Sequence, residues 1–301
     1  MKKILITGGT GFIGRELCTG LLRDGHQVTV LTRELGAAAK RLPEGAEAID
    51  DLARSESVDA VVNLAGANLG GQRWNRVSKL GFRSSRIDTT RRLVDWMSEL
   101  AVKPKVLVSG SAIGWYGPRG DEKLSEADAA GSDYSAMLCR DWEAEALKAE
   151  ALGVRVCRLR TGIVLGPKGP AGGGALAQML PAFKLGGGGP MGSGQQWMSW
   201  VHRVDLITLI RFLIERDSAQ GPFNGTAPEP VTNGEFAKTL GRVLHRPAIL
   251  PMPGFMLKLI VGEMAEILLT GQRVIPQAAL DAGFVFRFPN LEAALRDVLG
   301  R

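Results

Sequence analysis

Short apolar runs alternate with stretches of helical period along the first half of the chain. Lys3 to Thr7, KILIT, is apolar enough to be buried on both faces and predicts a strand. Ile13, Leu17, Leu21 and Leu22 recur at helical spacing and predict a helix over Gly11 to Arg23. The pattern then gives strands at Gln27 to Thr32, Ala46 to Asp50, Asp59 to Ala65 (DAVVNLA), Lys105 to Ser109 and Val154 to Arg160. Helices are predicted over Ser78 to Glu99 and Ser135 to Leu152. Doubly apolar strands alternating with helices imply an α/β fold, a doubly wound parallel sheet covered on each face.

The character changes after Leu165. Gly166 to Gly194 is rich in Gly and Pro, broken by one helical piece from Ala175 to Phe183. Beyond it, strands are expected at Trp197 to His202, Pro222 to Ala227 and Ala248 to Pro251. Helices are expected at Val204 to Glu215, Asn233 to Leu244 and Gly254 to Leu269. The expected division is a nucleotide-binding core over residues 1–165, to which 200–227 returns, and a smaller substrate-facing lobe from 166–199 and 228–301.

Composition narrows the class without naming it. The 301 residues are 45% hydrophobic and 23% charged, values of a globular chain with a large core. Cys18, Cys139 and Cys157 form no C-x-x-C pair, and an odd count suits reduced thiols and a cytoplasmic setting. No His, Cys and carboxylate spacing suits a metal. The longest later apolar stretch, Phe255 to Leu269, is interrupted by Lys258, Glu263 and Glu266 and reads as an amphipathic or buried helix, so no membrane partner is expected. Its alternating Leu, Ile and Met suit core packing or a homodimer face. The net charge of +6 is spread along the chain, densest between Arg73 and Arg92, and an anionic cofactor accounts for it more economically than nucleic acid.

The strongest chemical signal is Gly8-Gly9-Thr10-Gly11-Phe12-Ile13-Gly14, directly after a strand and before a helix. Gly8 permits the turn, Gly11 lets a pyrophosphate approach the backbone, and Gly14 lets helix and strand pack closely. The helix N-terminus then offers free N–H groups to phosphate. This is the dinucleotide loop of a Rossmann fold, with Gly8, Thr10, Gly11, Phe12, Ile13 and Gly14 as its candidate cradle. The next strand ends in Leu31-Thr32-Arg33. A carboxylate there would accept from the 2′-hydroxyl of NAD(H), whereas Arg33 suits the 2′-phosphate of NADP(H). A solvated loop charge is the alternative for Arg33.

TGGTGFIG, NLAG (Asn63 to Gly66) and VLVSGSAIGWYG (Val106 to Gly117) resemble the short-chain dehydrogenase/reductase superfamily in its extended or atypical form. SRIDTT (Ser85 to Thr90), LPAFKLGGGGPMGSGQQ (Leu180 to Gln196), WVHRVDL (Trp200 to Leu206) and GQRVIP (Gly271 to Pro276) resemble, more specifically, the "epimerase family protein" group. That group is nucleoside-diphosphate-sugar-epimerase-like, with a C-terminal segment of unknown function. The resemblance implies that Leu64, Ala65 and Gly66 pass beside the adenosine ribose, that Arg86 reaches the cofactor and that Val164 lies near the nicotinamide. A surface salt bridge is the plain alternative for Arg86.

Active members of the superfamily use a Ser, a Tyr and a Lys one helical turn after the Tyr. Ser111 and Tyr134 stand at the matching Ser and Tyr positions as candidate catalytic residues, but Leu138 occupies the lysine's place. Without that cation Tyr134 keeps a phenol pKa near ~10, and Tyr134 is equally readable as a helix-start residue. Tyr116 is a substitute acid, Asp205 reads as a helix N-cap, and His202 as a hydrogen-bonded core residue. Two expectations follow. One is an NADP(H)-dependent oxidoreductase or epimerase-like enzyme acting on a small molecule. The other is an NADPH-binding sensor or interaction protein without turnover.

Overall fold

The computed structural model describes residues 1–71 and 73–301. In its first part, β1 (Lys3–Thr7), α1 (Gly14–Arg23), β2 (Gln27–Leu31), α2 (Leu35–Arg41), β3 (Glu47–Ile49), β4 (Ala60–Asn63) and α3 (Arg76–Glu99) follow one another. Next come β5 (Val106–Ala112), β6 (Lys123–Leu124), α4 (Tyr134–Leu147) and β7 (Arg155–Thr161). The second half holds β8 (Ile163–Leu165), α5 (Gly174–Lys184), β9 (Trp197–Met198), β10 (Trp200–His202), α6 (Arg203–Glu215) and β11 (Gly221–Gly225). It ends with β12 (Val231–Thr232), α7 (Asn233–Leu244), α8 (Gly254–Val261), α9 (Met264–Thr270), β13 (Arg273–Val274), α10 (Gln277–Asp281) and α11 (Leu291–Leu299).

Seven strands form one parallel sheet in the order β11-β7-β5-β4-β1-β2-β3. The order reverses between β1 and β4, which opens a crevice at their C-terminal ends. Alternation along each strand divides the core. Ile4, Ile6, Val62, Val108 and Leu159 pack with Leu17, Leu21, Leu209 and Leu213 of α1 and α6 on one face. Leu5, Val61, Leu107 and Val156 pack with Leu93, Met97 and Ala146 of α3 and α4 on the other. Both faces are therefore dry, which is why β1 and β4 read as unbroken apolar runs.

Within residues 200–227, α6 joins that core and β11 forms an edge of the sheet, while β10 pairs with β8 outside it. A second apolar cluster gathers Phe183 of α5, Phe236 and Leu240 of α7, and Leu291 and Leu295 of α11 around Met198 and Trp200.

Several elements depart from the pattern. The strand expected at Trp197 to His202 is two short ones, β9 paired antiparallel to β12 and β10 parallel to β8. No strand forms at Ala248 to Pro251; its backbone instead hydrogen-bonds the glycine-rich segment, as where Leu250 N donates to Gly188 O at 3.2 Å. The single helix expected over Gly254 to Leu269 breaks at Gly262, whose φ of 66° ends α8 and turns the chain into α9. The core packing expected there fails for Phe255, Met256, Leu259 and Ile260, which are exposed. No helix among the described residues is long and apolar enough to cross a membrane.

Candidate functional site

The glycine loop is built as a close-approach device. Gly8 sits at φ 73°, and a Cβ there would lie 2.6 Å from the Leu64 carbonyl oxygen. The loops after β1 and β4 are therefore in van der Waals contact through backbone alone. A Cβ at Gly14 would lie 2.2 Å from the Gly8 carbonyl oxygen, so α1 can start only where it does because position 14 has no side chain. The helix has no side-chain cap at Ile13; Arg15 N donates to the Gly11 carbonyl at 3.0 Å, so the loop itself caps part of the first turn.

A buried hydroxyl-amide chain fixes the strand ends. Thr7 Oγ1 donates to Asn63 Oδ1 at 2.7 Å and accepts from Ala65 N at 3.2 Å. Asn63 Nδ2 and Trp142 Nε1 both donate to Thr90 Oγ1, at 2.8 and 3.0 Å. The chain ties β1, β4, α3 and α4 together immediately beneath the loop.

Above it lies a cleft of about 370 Å³. Of the residues singled out in the sequence, Gly8, Thr10, Gly11, Thr32, Arg33, Leu64, Ala65 and Gly66 line it together. Five others do not line it. Gly14 and Ile13 belong to the helix start behind it, and the Phe12 ring packs against the Arg203 guanidinium at 4.7 Å. Val164 lies on β8 opposite Val201. Arg86 is buried, donating to the carbonyls of Phe82 at 3.2 Å and Ala67 at 3.1 Å. Its guanidinium lies against Gly66, where a Cβ would approach to 2.9 Å. Burial pulls its pKa down, and no carboxylate partner faces it among the described residues. Arg86 is thus a brace under the loop after β4 rather than a surface salt bridge.

The cleft also gathers residues that sequence reasoning missed. Arg41 at the end of α2, Asp50 after β3, and Ser85, Thr89 and Arg92 on one face of α3 complete its wall. The spacing of Ser85, Thr89 and Arg92, four and then three residues apart, was a readable signal. Arg33, Arg41 and Arg92 are exposed and enter no ion pair among the described residues, while Asp50 pairs with Arg54 at 3.1 Å. Glu34, beside Arg33, also lines this end and enters no ion pair among the described residues, so three guanidinium groups face one unpaired carboxylate and the end keeps a positive surplus.

Ser111 and Tyr134 are engaged separately. The Ser111 hydroxyl is buried and donates to Glu143 Oε1 at 2.7 Å. Glu143 in turn receives Arg160 through Nε at 2.8 Å and Nη2 at 3.1 Å, and Arg158 at 3.2 Å. The Tyr134 hydroxyl donates to the Lys79 carbonyl at 2.9 Å, its ring packs edge-on to Trp74, and partial burial raises its pKa. Leu138 is buried in the same apolar cluster as Trp74, Phe82 and Trp142. Tyr116 is wholly buried, donates to Asn224 Oδ1 at 2.7 Å, and is pushed up to about 12 by desolvation, which removes it as an acid near neutrality.

Asp205 is not the N-cap of α6. His202 takes that place through Nδ1, which accepts from Val204 N at 3.2 Å. Asp205 is buried as the third residue of α6 and accepts from Arg287 N and Phe288 N at 2.8 and 2.9 Å.

A parallel doubly wound sheet, a glycine loop opening α1 and a cleft at the strand-order reversal together define a dinucleotide-binding fold of the short-chain dehydrogenase/reductase type. Residues 4–224 match the NAD dependent epimerase/dehydratase family, and the chain belongs to it. Residues 252–298 match a domain of unknown function, DUF1731. The chain is 42% identical to "Epimerase family protein SDR39U1 homolog, chloroplastic" of Arabidopsis thaliana, covering 98% of this chain and 86% of that one. It is 38% identical to "Epimerase family protein YfhF" of Bacillus subtilis over 98% of this chain and 97% of that protein. Among solved structures, human epimerase family protein SDR39U1 (isoform 2) with NADPH superposes with a TM-score of 0.89 at 35% identity, covering 99% of both chains.

Proposed function

We propose that this protein binds NADP(H) in the cleft at the C-terminal ends of β1, β2 and β4, and uses it on a small molecule as an oxidoreductase or epimerase-like enzyme. One observation carries the cofactor choice: the end of the cleft beyond β2 presents three guanidinium groups, Arg33, Arg41 and Arg92, against a single unpaired carboxylate, Glu34, a cationic surplus that suits a 2′-phosphate better than a 2′-hydroxyl. Gly8, Gly11 and the first turn of α1 would hold the pyrophosphate, and Leu64 to Gly66 would flank the ribose. The human relative bound to NADPH supports the reading. When bound, the nicotinamide would supply or accept hydride. Three buried, unbridged cysteines support a reducing, cytoplasmic setting.

The test is a fluorescence titration with NADPH and NADH. Arg33→Ala, Arg41→Ala and Arg92→Ala should each weaken NADPH binding about tenfold, the worth of one charge-assisted hydrogen bond, and leave NADH unchanged. Equal affinity of the wild type for both nucleotides would sink the assignment.

A specific arrangement favours a second reading, NADPH binding without turnover. The Ser111 hydroxyl is committed to Glu143, the Tyr134 hydroxyl to a backbone carbonyl, and the lysine's place is an apolar core position. NADPH oxidation across carbonyl compounds and nucleotide sugars separates the two. Turnover that falls in Ser111→Ala or Tyr134→Phe supports the enzyme, and binding with no turnover on any of them supports the sensor.

A further inference from the structure

The stretch from His245 to Gly262 is strongly apolar, yet the structure leaves most of it in solvent. Ile249, Leu250, Phe255, Met256, Leu259 and Ile260 are all exposed. The loop before α8 is held largely by backbone bonds, Met252 N donating to Pro190 O at 2.9 Å besides the bond from Leu250, with Ala248 packed against the second apolar cluster. In α8 only Leu257 is buried. At about 100° per residue, Phe255 and Leu259 point directly away from Leu257, Met256 and Ile260 cover one flank, and Lys258 takes the other. Phe255 is 68% and Leu259 70% exposed. A helix on a globular core turns such a stripe inward; here it projects outward.

Charge selects what covers it. From His245 to Gly262 there is no carboxylate; the ionic side chains are Arg246 and Lys258. Exposed Lys184 adjoins Arg246, whose Nε donates to the Lys184 carbonyl at 3.1 Å. Glu263 and Glu266 of the next segment line one pocket with Lys258; Glu263 is paired with Lys79, so Lys184, Arg246 and Lys258 outnumber the one unpaired carboxylate, Glu266. A second copy meeting this face about a twofold axis would set cation against cation. Projecting apolar side chains flanked by cations complement an anionic lipid surface instead.

We propose that α8 and the loop before it lie on an anionic membrane surface, with Phe255 and Leu259 reaching the acyl boundary and Lys184, Arg246 and Lys258 meeting lipid phosphates. Lying on a bilayer needs no spanning helix, so the shortness of the apolar run excludes crossing and not docking.

The experiment is co-sedimentation of the full chain with vesicles of phosphatidylcholine, with and without phosphatidylglycerol. Binding is expected only to the anionic vesicles, falling with added salt. Lys258→Glu should weaken it at least about fivefold, the effect of one cation near an anionic surface. The double variant Phe255→Asp, Leu259→Asp should abolish it. Both variants change exposed side chains, and far-UV circular dichroism and thermal melting check that each is folded. No vesicle binding, equal binding to neutral vesicles, or retained binding in the folded double variant overturns the proposal. So does a dimer in sedimentation velocity that the double variant dissociates, which would assign the face to a second copy.

Discussion

Burial decides what single residues can do in this protein. Cys18 and Cys139 are pushed up to about 12 and Cys157 to about 11, each chiefly by desolvation of the thiolate. Only a thiolate reacts with an alkylating reagent. In the native protein at pH 8, iodoacetamide should therefore modify none of the three within a period that labels all three after denaturation, as read by mass spectrometry. Any sensing of NADPH would then work without thiol oxidation. The same reasoning limits Tyr116, a phenol with no path to solvent.

Strands and helices differ in how much of them could be read from the chain. β1 and β4 were legible because both faces are buried and each strand is a plain apolar run, and β2 because its valines alternate with half-buried positions. α2, LGAAAKR, was not, because seven residues with a single buried position carry no period. The cleft was legible where it is backbone, in the glycines and the loop after β4. It was not legible where it is side chain from distant elements, as with Arg41 and Arg92. The buried ion lattice was missed for that reason too, although VCRLRT places two arginines in an otherwise buried strand, which calls for a buried carboxylate. Glu143 on α4 supplies it. Glu143→Gln removes the countercharge of a fully buried Arg160 and should cost about 3–5 kcal/mol, read as a lowered urea midpoint. A loss under 1 kcal/mol would mean that β7 does not depend on α4 for its charge balance.

At the scale of the molecule, the C-terminal segment is tied to the core through α6. His202 stacks on Phe288 at 4.0 Å, and its Nε2 lies 3.2 Å from Asp297 Oδ2, off the direction of a hydrogen bond. Asp297 and Asp205 favour its charged form and Arg203 opposes it, but desolvation is the largest effect and the pKa is lowered. The unfolded chain therefore takes up this proton first as pH falls. The stability contributed by neutral His202 is full above the unfolded value of about 6.5 and is lost as pH drops below it, toward the folded pKa. Thermal melts of wild type should decline more steeply between pH 7.5 and 5.5 than those of His202→Asn, which keeps a side-chain acceptor for Val204 N. Parallel slopes would remove His202 as the cause.

The edge strand β11 comes from residues 221–225, after the chain has left the sheet at β7 to build β8, α5 and the glycine-rich segment. During synthesis the sheet therefore stays open on that side until β8, α5, β9, β10 and α6 have been made. A nascent chain paused after Thr161 carries β7 as a bare parallel edge, a template for pairing with another chain. The protection of that edge is thus a matter of translation timing and chaperone access as much as of the finished fold.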